Sequence, residues 1–399
     1  YVGRPVYYSG RDASAGWHAY GCDGYQAATD KFHINWGWGG MSNGYFLIGV
    51  LNTMNGSFNL DNAIIVGIQP GIPGQALPWE EKASGFAAAS RGIHNIFAYN
   101  QDVAWAAAYD GSGTAATIQE FTKTSDGGQT WTAGTISGYT GYGVSMVYGI
   151  DANTAWAAVY HATNGGGKIL KTTDGGSNWT PQTTAPFTAP NGFPNVVHFW
   201  DANTGWCMGD PNGGYFEMYT TTDGGTNWAR VPQANVPANV SGEYGTVGYY
   251  DVVGDTVWFG TNKGKVFKSI DKGLNWTAVL AWSSKTLKPT FANGQLGLVQ
   301  DKGENNTGQI KRTTDGGATW TAVTTVGPIY NNDLSFIPGT QIAISTGASD
   351  GASGISFSLD AGTTWHPFTL YSGMQFLACD MVDLHHGFAG AFNQSATNG

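Results

Sequence analysis

Residues 124–131 read TSDGGQTW, and close copies of this octet recur through the rest of the chain. Six copies are present, and their aspartates are Asp126, Asp174, Asp223, Asp271, Asp315 and Asp360. Successive aspartates lie 48, 49, 48, 44 and 45 residues apart. This period is typical of one four-stranded propeller blade, so the octet predicts that most of the chain is built from repeated small sheets.

Each residue type in the octet has a structural reason to be there. The aspartate accepts hydrogen bonds from backbone N–H groups and pins a turn, and the glycines supply the positive φ angles that a hairpin needs. The tryptophan places a large apolar ring in the gap between neighbouring blades. We therefore interpret the six aspartates as structural residues.

A second motif predicts how the ring of blades closes. DANTAW at 151–156 and DANTGW at 201–206 follow octet tryptophans, and QDVAW at 101–105 lies 26 residues after Trp79. A further copy begins at Asp383, close to the end of the chain. We therefore predict seven blades, the last of them shared between residues 77–89 and 374–399, because such a split removes exposed sheet edges.

The octet resembles the Asp-box, or BNR, repeat of sialidases and of photosystem-stability-factor-like propellers. That resemblance implies a β-propeller over residues 77–399. It also raises the weaker alternative of a sialidase-like glycoside hydrolase, since sialidases clamp the substrate carboxylate with three arginines. The predicted propeller contains Arg91, Arg230 and Arg312, and Arg312 holds the repeat position taken elsewhere by Lys123, Lys171 and Lys268. A position that repeats reports architecture rather than activity.

Residues 1–70 differ in sequence pattern from the rest of the chain and contain the candidate catalytic residues. Strand-like stretches at 17–22 and 31–35 flank a turn signal, Asp23-Gly24. In a hairpin centred between residues 26 and 27, His18 stands opposite Asn35, with Cβ atoms about 5 Å apart. An asparagine oxygen could then hold the imidazole N–H, which is the arrangement that a cysteine peptidase needs for its general base.

The run from His18 through NWGWGG at 35–40 to NGYF at 43–46 closely resembles the streptopain family of papain-like cysteine peptidases. The resemblance covers residues 1–70 and implies the antiparallel-sheet half of a papain-like α+β domain, with 71–76 as a linker. It implies that His18 is the general base and Asn35 its orienting group. It further implies that Trp36 shields their hydrogen bond or borders the primed substrate side. Gly37 and Trp38 would form a wall of the cleft.

The family's nucleophilic cysteine lies upstream of the histidine on a helix, so we expect it to be missing from this chain. Cys22 lies four residues from His18 on the same strand, roughly 13 Å away, and is expected to be a small buried apolar residue. His33 is an alternative base, but between Phe32 and Ile34 it is expected to pack against the other strand. The 399-residue chain is therefore expected to be an inactive fragment or processed product.

Composition excludes several classes of function. The net charge of −10 leaves no basic surface for nucleic acid, and no apolar run is long enough to span a bilayer. The histidines show no metal-ligand spacing, and we expect neither a metal nor a cofactor.

The sequence thus predicts a mostly β protein: part of a peptidase domain followed by a seven-bladed β-propeller. By resemblance, it is a bacterial cysteine endopeptidase that is secreted or bound at the cell surface and acts on protein or peptide substrates. The propeller would be an accessory module for spacing or for binding a protein or glycan ligand. The alternative is a non-catalytic propeller that binds a ligand and retains a vestigial peptidase segment.

Overall fold

The computed structural model describes residues 6–47, 50–65, 79–114, 117–303, 309–349, 352–368 and 374–391. The chain divides into two compact units, Tyr1–Glu80 and Glu81–Gly399. The predicted linker at 71–76 lies outside the described residues, as do the last eight residues of the chain. The two units are described separately below.

The N-terminal unit is an antiparallel sheet with strand order β4-β3-β2-β1-β7. Its strands are β1 (Val6–Asp12), β2 (Gly16–Gln26), β3 (Lys31–Asn35), β4 (Gly44–Phe46) and β7 (Leu60–Ile65). A small hairpin of β5 (Asn52–Thr53) and β6 (Gly56–Ser57) precedes the last strand. Because side chains alternate along a strand, one face of this sheet collects a core. That core contains Tyr8, Tyr20, Cys22, Ile34, Trp36, Leu51 and Phe58.

The C-terminal unit is a β-propeller, and its described residues form six four-stranded antiparallel sheets and one two-stranded sheet. The first sheet contains β8 (Arg91–Ala98), β9 (Ala104–Asp110), β10 (Glu120–Thr124) and β11 (Thr132–Thr135). The second contains β12 (Tyr142–Gly149), β13 (Ala155–His161), β14 (Gly167–Thr172) and β15 (Thr180–Pro181). The third contains β16 (Pro194–Phe199), β17 (Gly205–Pro211), β18 (Phe216–Thr221) and β19 (Ala229–Arg230).

A short 3-10 helix, Gln233–Asn235, leads to the fourth sheet: β20 (Gly245–Val253), β21 (Thr256–Thr261), β22 (Lys265–Ser269) and β23 (Thr277–Leu280). The fifth contains β24 (Leu287–Phe291), β25 (Gly297–Asp301), β26 (Ile310–Thr313) and β27 (Thr321–Ala322). The sixth contains β28 (Asp333–Phe336), β29 (Ala343–Ser349), β30 (Ala352–Ser358) and β31 (His366–Pro367). The seventh contains β32 (Phe376–Met381) and β33 (Gly387–Ala391).

The octet turns share one hydrogen-bond pattern. In every copy, a carboxylate oxygen of the aspartate accepts the hydroxyl two residues before it, at 2.7–2.9 Å. The same oxygen accepts the backbone N–H four residues after it, at 2.8–2.9 Å. Hydrogen bonds from Thr130 lower the pKa of Asp126 to about 2, so this carboxylate is held in its charged form. These contacts account for the aspartates as turn-forming groups.

A repeated cation links each early sheet to the next. Lys123 Nζ lies 4.9 Å from the centre of the Trp105 ring and donates to Ala152 O. Lys171 Nζ lies 5.0 Å from the Trp156 ring and donates to Gly224 O at 2.8 Å. Arg312, at the same repeat position, donates to the carbonyls of Asp360 and Ala361. The side chain at this repeat position therefore links one sheet to the next by hydrogen bonds.

Ring closure differs in one respect from the prediction. The first and seventh sheets are joined through Ala98 N–H, which donates to Asp380 Oδ2 at 2.8 Å. The seventh sheet has two strands, however, and residues 79–90 form no strand, so the predicted outer strand at 77–89 is wrong for its described residues. Leu77 and Pro78 lie outside the described residues. Within this segment, Ser84 O accepts the Thr122 hydroxyl at 2.6 Å and Lys82 Nζ donates to Gln129 Oε1 at 3.2 Å, so these contacts go to the first sheet and its octet turn.

Candidate active site

His18 lies on β2, half-buried, and stands opposite Gly10 of β1. Its Nε2–H donates to the backbone oxygen of Trp36 at 2.8 Å. Its ring is stacked on the Trp38 indole, with ring centres 4.5 Å apart and an interplanar angle of 27°. A carbonyl oxygen can only accept, so Nε2 carries the proton and Nδ1 of the neutral ring carries the lone pair. The ring is thus presented as a proton acceptor through Nδ1.

The predicted pairing of His18 with Asn35 is wrong. The turn lies at residues 27–30, further along than predicted, and Gln26 pairs with Lys31. A bulge between Cys22 and Gly24 then sets Asn35 opposite Gly21. Ile34 shares the core with Cys22, so Asn35, the next residue along, lies on the other side of the strand and is exposed. Its Oδ1 accepts the N–H of Gly37 at 3.1 Å.

The two tryptophans have different positions relative to His18. Trp36 is fully buried, with its ring 4.4 Å from that of Tyr20 and 5.5 Å from that of Phe58. Trp38 is half-buried and its ring centre lies 4.5 Å from that of His18, while the Trp36 ring is also stacked with the His18 ring, at 6.1 Å and an interplanar angle of 15°. Gly37, φ +75°, turns the chain between the two rings and is exposed. A side chain would be strained in that conformation.

Sequence reasoning gave no role to Asn43, although NGYF was part of the motif that carried the resemblance. Asn43 Oδ1 accepts the N–H of Trp36 at 3.0 Å. The side chain therefore fixes the backbone of the residue whose carbonyl holds His18. Its signal in the sequence was an asparagine directly before a glycine in a turn-rich loop, which predicts a bond to nearby backbone but not to which peptide.

None of the three cysteines offers a thiolate. Cys22 is buried in the N-terminal core, and burial raises the pKa of its thiol. Cys207 and Cys379 are buried in the propeller, where burial raises their thiol pKa values well above the ordinary one. A raised pKa keeps a thiol protonated and inert. The nucleophile of a cysteine mechanism must come from elsewhere.

His33 is occupied by a local partner. Its Nδ1 lies 2.5 Å from Asp23 Oδ1, and its ring meets that of Tyr45 edge to face at 5.1 Å. It therefore packs against neighbouring strands, as predicted. In the part of the chain that the structure describes, no group of three His, Cys, Asp or Glu side chains could hold a metal ion.

The propeller holds a cavity of about 1280 Å³ lined by the first strands of its seven sheets. Seven equivalent positions line it, each opposite the motif aromatic or its counterpart on the second strand. They are Phe97, Tyr148, His198, Asp251, Thr290, Ser335 and Asp380. Three consecutive sheets thus present rings to the cavity, and the other four present oxygens. The three arginines of the sialidase alternative are not among its lining residues.

Comparison with known proteins gives different matches for the two units. Residues 2–46 match the sequence model of the peptidase C10 family. This stretch is similar to the C10 peptidases. Over 74 residues, the chain is 47% identical to the thiol protease/hemagglutinin PrtT of Porphyromonas gingivalis and 39% identical to streptopain of Streptococcus pyogenes. The aligned part is 17% of this chain but only 8% of PrtT and 18% of streptopain, so the chain spans a small part of either relative.

The propeller has its own relatives. Residues 162–291 match the model of the photosynthesis system II assembly factor YCF48. YCF48 from Cyanidioschyzon merolae superimposes with a TM-score of 0.56 at 19% identity, over 78% of this chain and 96% of that one. YCF48 bound to a D1 peptide gives 0.55 at 17% identity, over 79% and 96%. A GH74 xyloglucanase from Xanthomonas campestris gives 0.51 at 13% identity, over 77% and 52%. At these identities the likeness shows the fold.

Among the described residues, no helix has the length and apolar character needed to cross a bilayer.

Proposed function

We propose that this chain is the base-bearing part of a cysteine endopeptidase, with His18 as its general base. One observation carries the proposal: the Nε2–H of His18 is engaged by Trp36 O, which leaves Nδ1 as the proton acceptor. A general base must be held in one tautomer with its lone pair available, and this hydrogen bond does both. The similarity of residues 2–46 to the C10 peptidases supports the same role.

In the proposed reaction, Nδ1 of His18 takes the proton from a cysteine thiol that is not among the three of this chain. The thiolate attacks the peptide carbonyl carbon, and the protonated histidine then gives its proton to the departing amine. Water, activated by the same nitrogen, releases the acid product from the thioester and restores the thiol. We further propose that the reaction takes place outside the cell or at its surface, as the streptopain resemblance implies.

The test uses a polypeptide in which this chain is preceded by the cysteine-bearing part of a C10 peptidase domain. His18→Ala should lower kcat for peptide hydrolysis by about a thousandfold or more. The matched control is His33→Ala, which removes a histidine of the adjacent strand that is paired with Asp23 and should change kcat less than about threefold. The 399-residue chain alone should neither hydrolyse casein nor react with an epoxide thiol-protease inhibitor.

Turnover by the 399-residue chain that survives replacement of Cys22, Cys207 and Cys379 would rule out the cysteine mechanism. The second candidate function is ligand binding by the propeller without catalysis. It is favoured by the likeness to YCF48, which has been solved with a bound D1 peptide, and by the large cavity with one aromatic and one polar arc. This candidate would be favoured if the extended polypeptide bound a peptide without hydrolysing it.

A further inference from the structure

The tautomer of His18 depends on a backbone carbonyl, and two asparagines hold that carbonyl. The oxygen of Trp36 belongs to the peptide plane shared with the N–H of Gly37, which donates to Asn35 Oδ1 at 3.1 Å. The preceding peptide plane contains the N–H of Trp36, which donates to Asn43 Oδ1 at 3.0 Å. Both peptide planes of Trp36 are therefore fixed by a side chain.

We propose that Asn43 is a positioning residue for His18, acting through the backbone of Trp36. This inference rests on the proposed function for its catalytic meaning but not for its geometry. We call the set of Asn35, Trp36 and Asn43 the Trp36 clamp. The clamp replaces the direct side-chain contact between Asn35 and His18 that the family resemblance implied.

The clamp has two physical effects. A peptide is planar, so fixing the N–H of Gly37 also fixes the direction of the Trp36 carbonyl. A peptide whose N–H donates to Asn35 is polarised, and its oxygen becomes a better acceptor for the Nε2–H of His18. Asn43 holds the peptide plane that precedes Trp36 and so restricts backbone rotation at this residue. The fully buried indole ring restricts movement of the Trp36 side chain.

Loss of Asn43 should therefore leave the Trp36 carbonyl held only by Asn35, through the N–H of Gly37, and loosen the bond that keeps His18 in a single tautomer. The neutral ring would then divide between its Nε2–H and Nδ1–H forms, and only the first presents Nδ1 to a thiol. A misplacement of about 1 Å at a reacting group can cost roughly a hundredfold in rate. We expect Asn43→Ala to lower kcat about ten- to hundredfold in the extended peptidase, with KM nearly unchanged.

The decisive measurement needs no peptidase activity. Nitrogen-15 NMR of the histidine rings in the 399-residue chain should show His18 as the Nε2–H tautomer. Asn43→Ala should give a mixture of tautomers, and Asn43→Asp, which keeps the acceptor oxygen, should restore the Nε2–H form. The control is Asn59→Ala, which removes an asparagine bond to the backbone N–H of Leu51 in the same unit and should leave the tautomer unchanged.

A wild-type Nδ1–H tautomer would overturn the inference, and so would a folded Asn43→Ala variant with an unchanged tautomer. If Asn43→Ala fails to fold, Asn43→Leu, which has a similar size and also lacks the acceptor oxygen, takes its place, and an unchanged tautomer in that variant would equally overturn the inference. The proposed function fails separately: it is contradicted when His18→Ala retains hydrolysis in the extended peptidase, whatever the spectra show.

Discussion

The side chain of Asp12 joins two turns of the N-terminal unit. Its Oδ1 accepts the N–H and hydroxyl of Ser14 and the N–H of Ala15, and its Oδ2 accepts the N–H of Ser57 at 2.7 Å. These donors, the backbone N–H groups first, lower the pKa of Asp12 well below its usual range. A carboxylate with a depressed pKa stabilises the fold above its ordinary pKa, and that contribution disappears as the pH falls through the folded-state value.

Asp12→Ala should therefore loosen the β1–β2 turn and the β5–β6 hairpin together. We expect faster amide hydrogen exchange at Ala15 and Ser57 near neutral pH, because both N–H groups lose their acceptor. In the wild type, protection of these two amides should decline in strong acid. Asp30→Ala is the control: it removes an exposed turn aspartate that accepts the Tyr25 hydroxyl and should leave both exchange rates unchanged. Equal rates in Asp12→Ala and wild type would contradict the prediction.

At the scale of the elements, the lysine that recurs on the third strand of a sheet stabilises the contact between that sheet and the next. Lys171 stacks its ammonium on Trp156 and donates to a carbonyl of the next sheet, and burial lowers its pKa. Lys171→Met keeps the apolar stem but loses both contacts, so it should cost about 1–2 kcal/mol in unfolding free energy. Lys168→Met, on the same strand, is the matched control and should cost less than about 0.5 kcal/mol. Equal losses, measured by urea denaturation, would contradict the prediction.

Repeated elements were predictable because the same local physics recurs in every copy. An aspartate, a glycine two residues after it and a tryptophan three residues later recur in all six octets, and six copies spaced 44–49 residues apart predicted the four-stranded sheets between Arg91 and Pro367. The His18 hairpin was not predictable in the same way. Its register depends on one bulge at Cys22 and one turn position, and a shift of a few residues changes which face Asn35 occupies. The Trp36 clamp could not be predicted from the sequence, because its side chains bind backbone atoms and a sequence pattern does not identify which peptide is bound.

At the scale of the whole propeller, the buried carboxyl group of Asp380 joins the seventh sheet to the first. Burial raises the pKa of Asp380 to about 7, with a further contribution from Asp251, whose own pKa burial raises to about 6. In the unfolded chain the pKa returns to about 4, so ionisation of Asp380 opposes folding. Its stabilising state is the protonated one, and stability should fall by roughly 2–4 kcal/mol as the pH rises from about 4 to 7.

Asp380→Asn keeps an oxygen for the N–H of Ala98 but cannot ionise. We expect the variant to lose this part of the pH dependence and to be more stable than the wild type at pH 8 in thermal unfolding. Asp383→Asn is the control with the opposite sign, since bonds from His385 and His386 lower the pKa of this exposed carboxylate. The expectation would be contradicted if the stability of the wild type stayed constant or rose from pH 4 to 7 and the Asp380→Asn variant showed the same pH dependence.

The hydrogen bond that joins Ala98 to Asp380 spans 282 residues of sequence. Each four-stranded sheet is a meander of neighbouring strands, so it can form as soon as its own segment of about 45 residues has left the ribosome. Ring closure comes later, because Asp380 is synthesised after all six four-stranded sheets. Until then, the inner strand of the first sheet lacks its neighbour from the seventh. The early sheets of a nascent chain are therefore an open arc until Phe376–Met381 and Gly387–Ala391 have been synthesised.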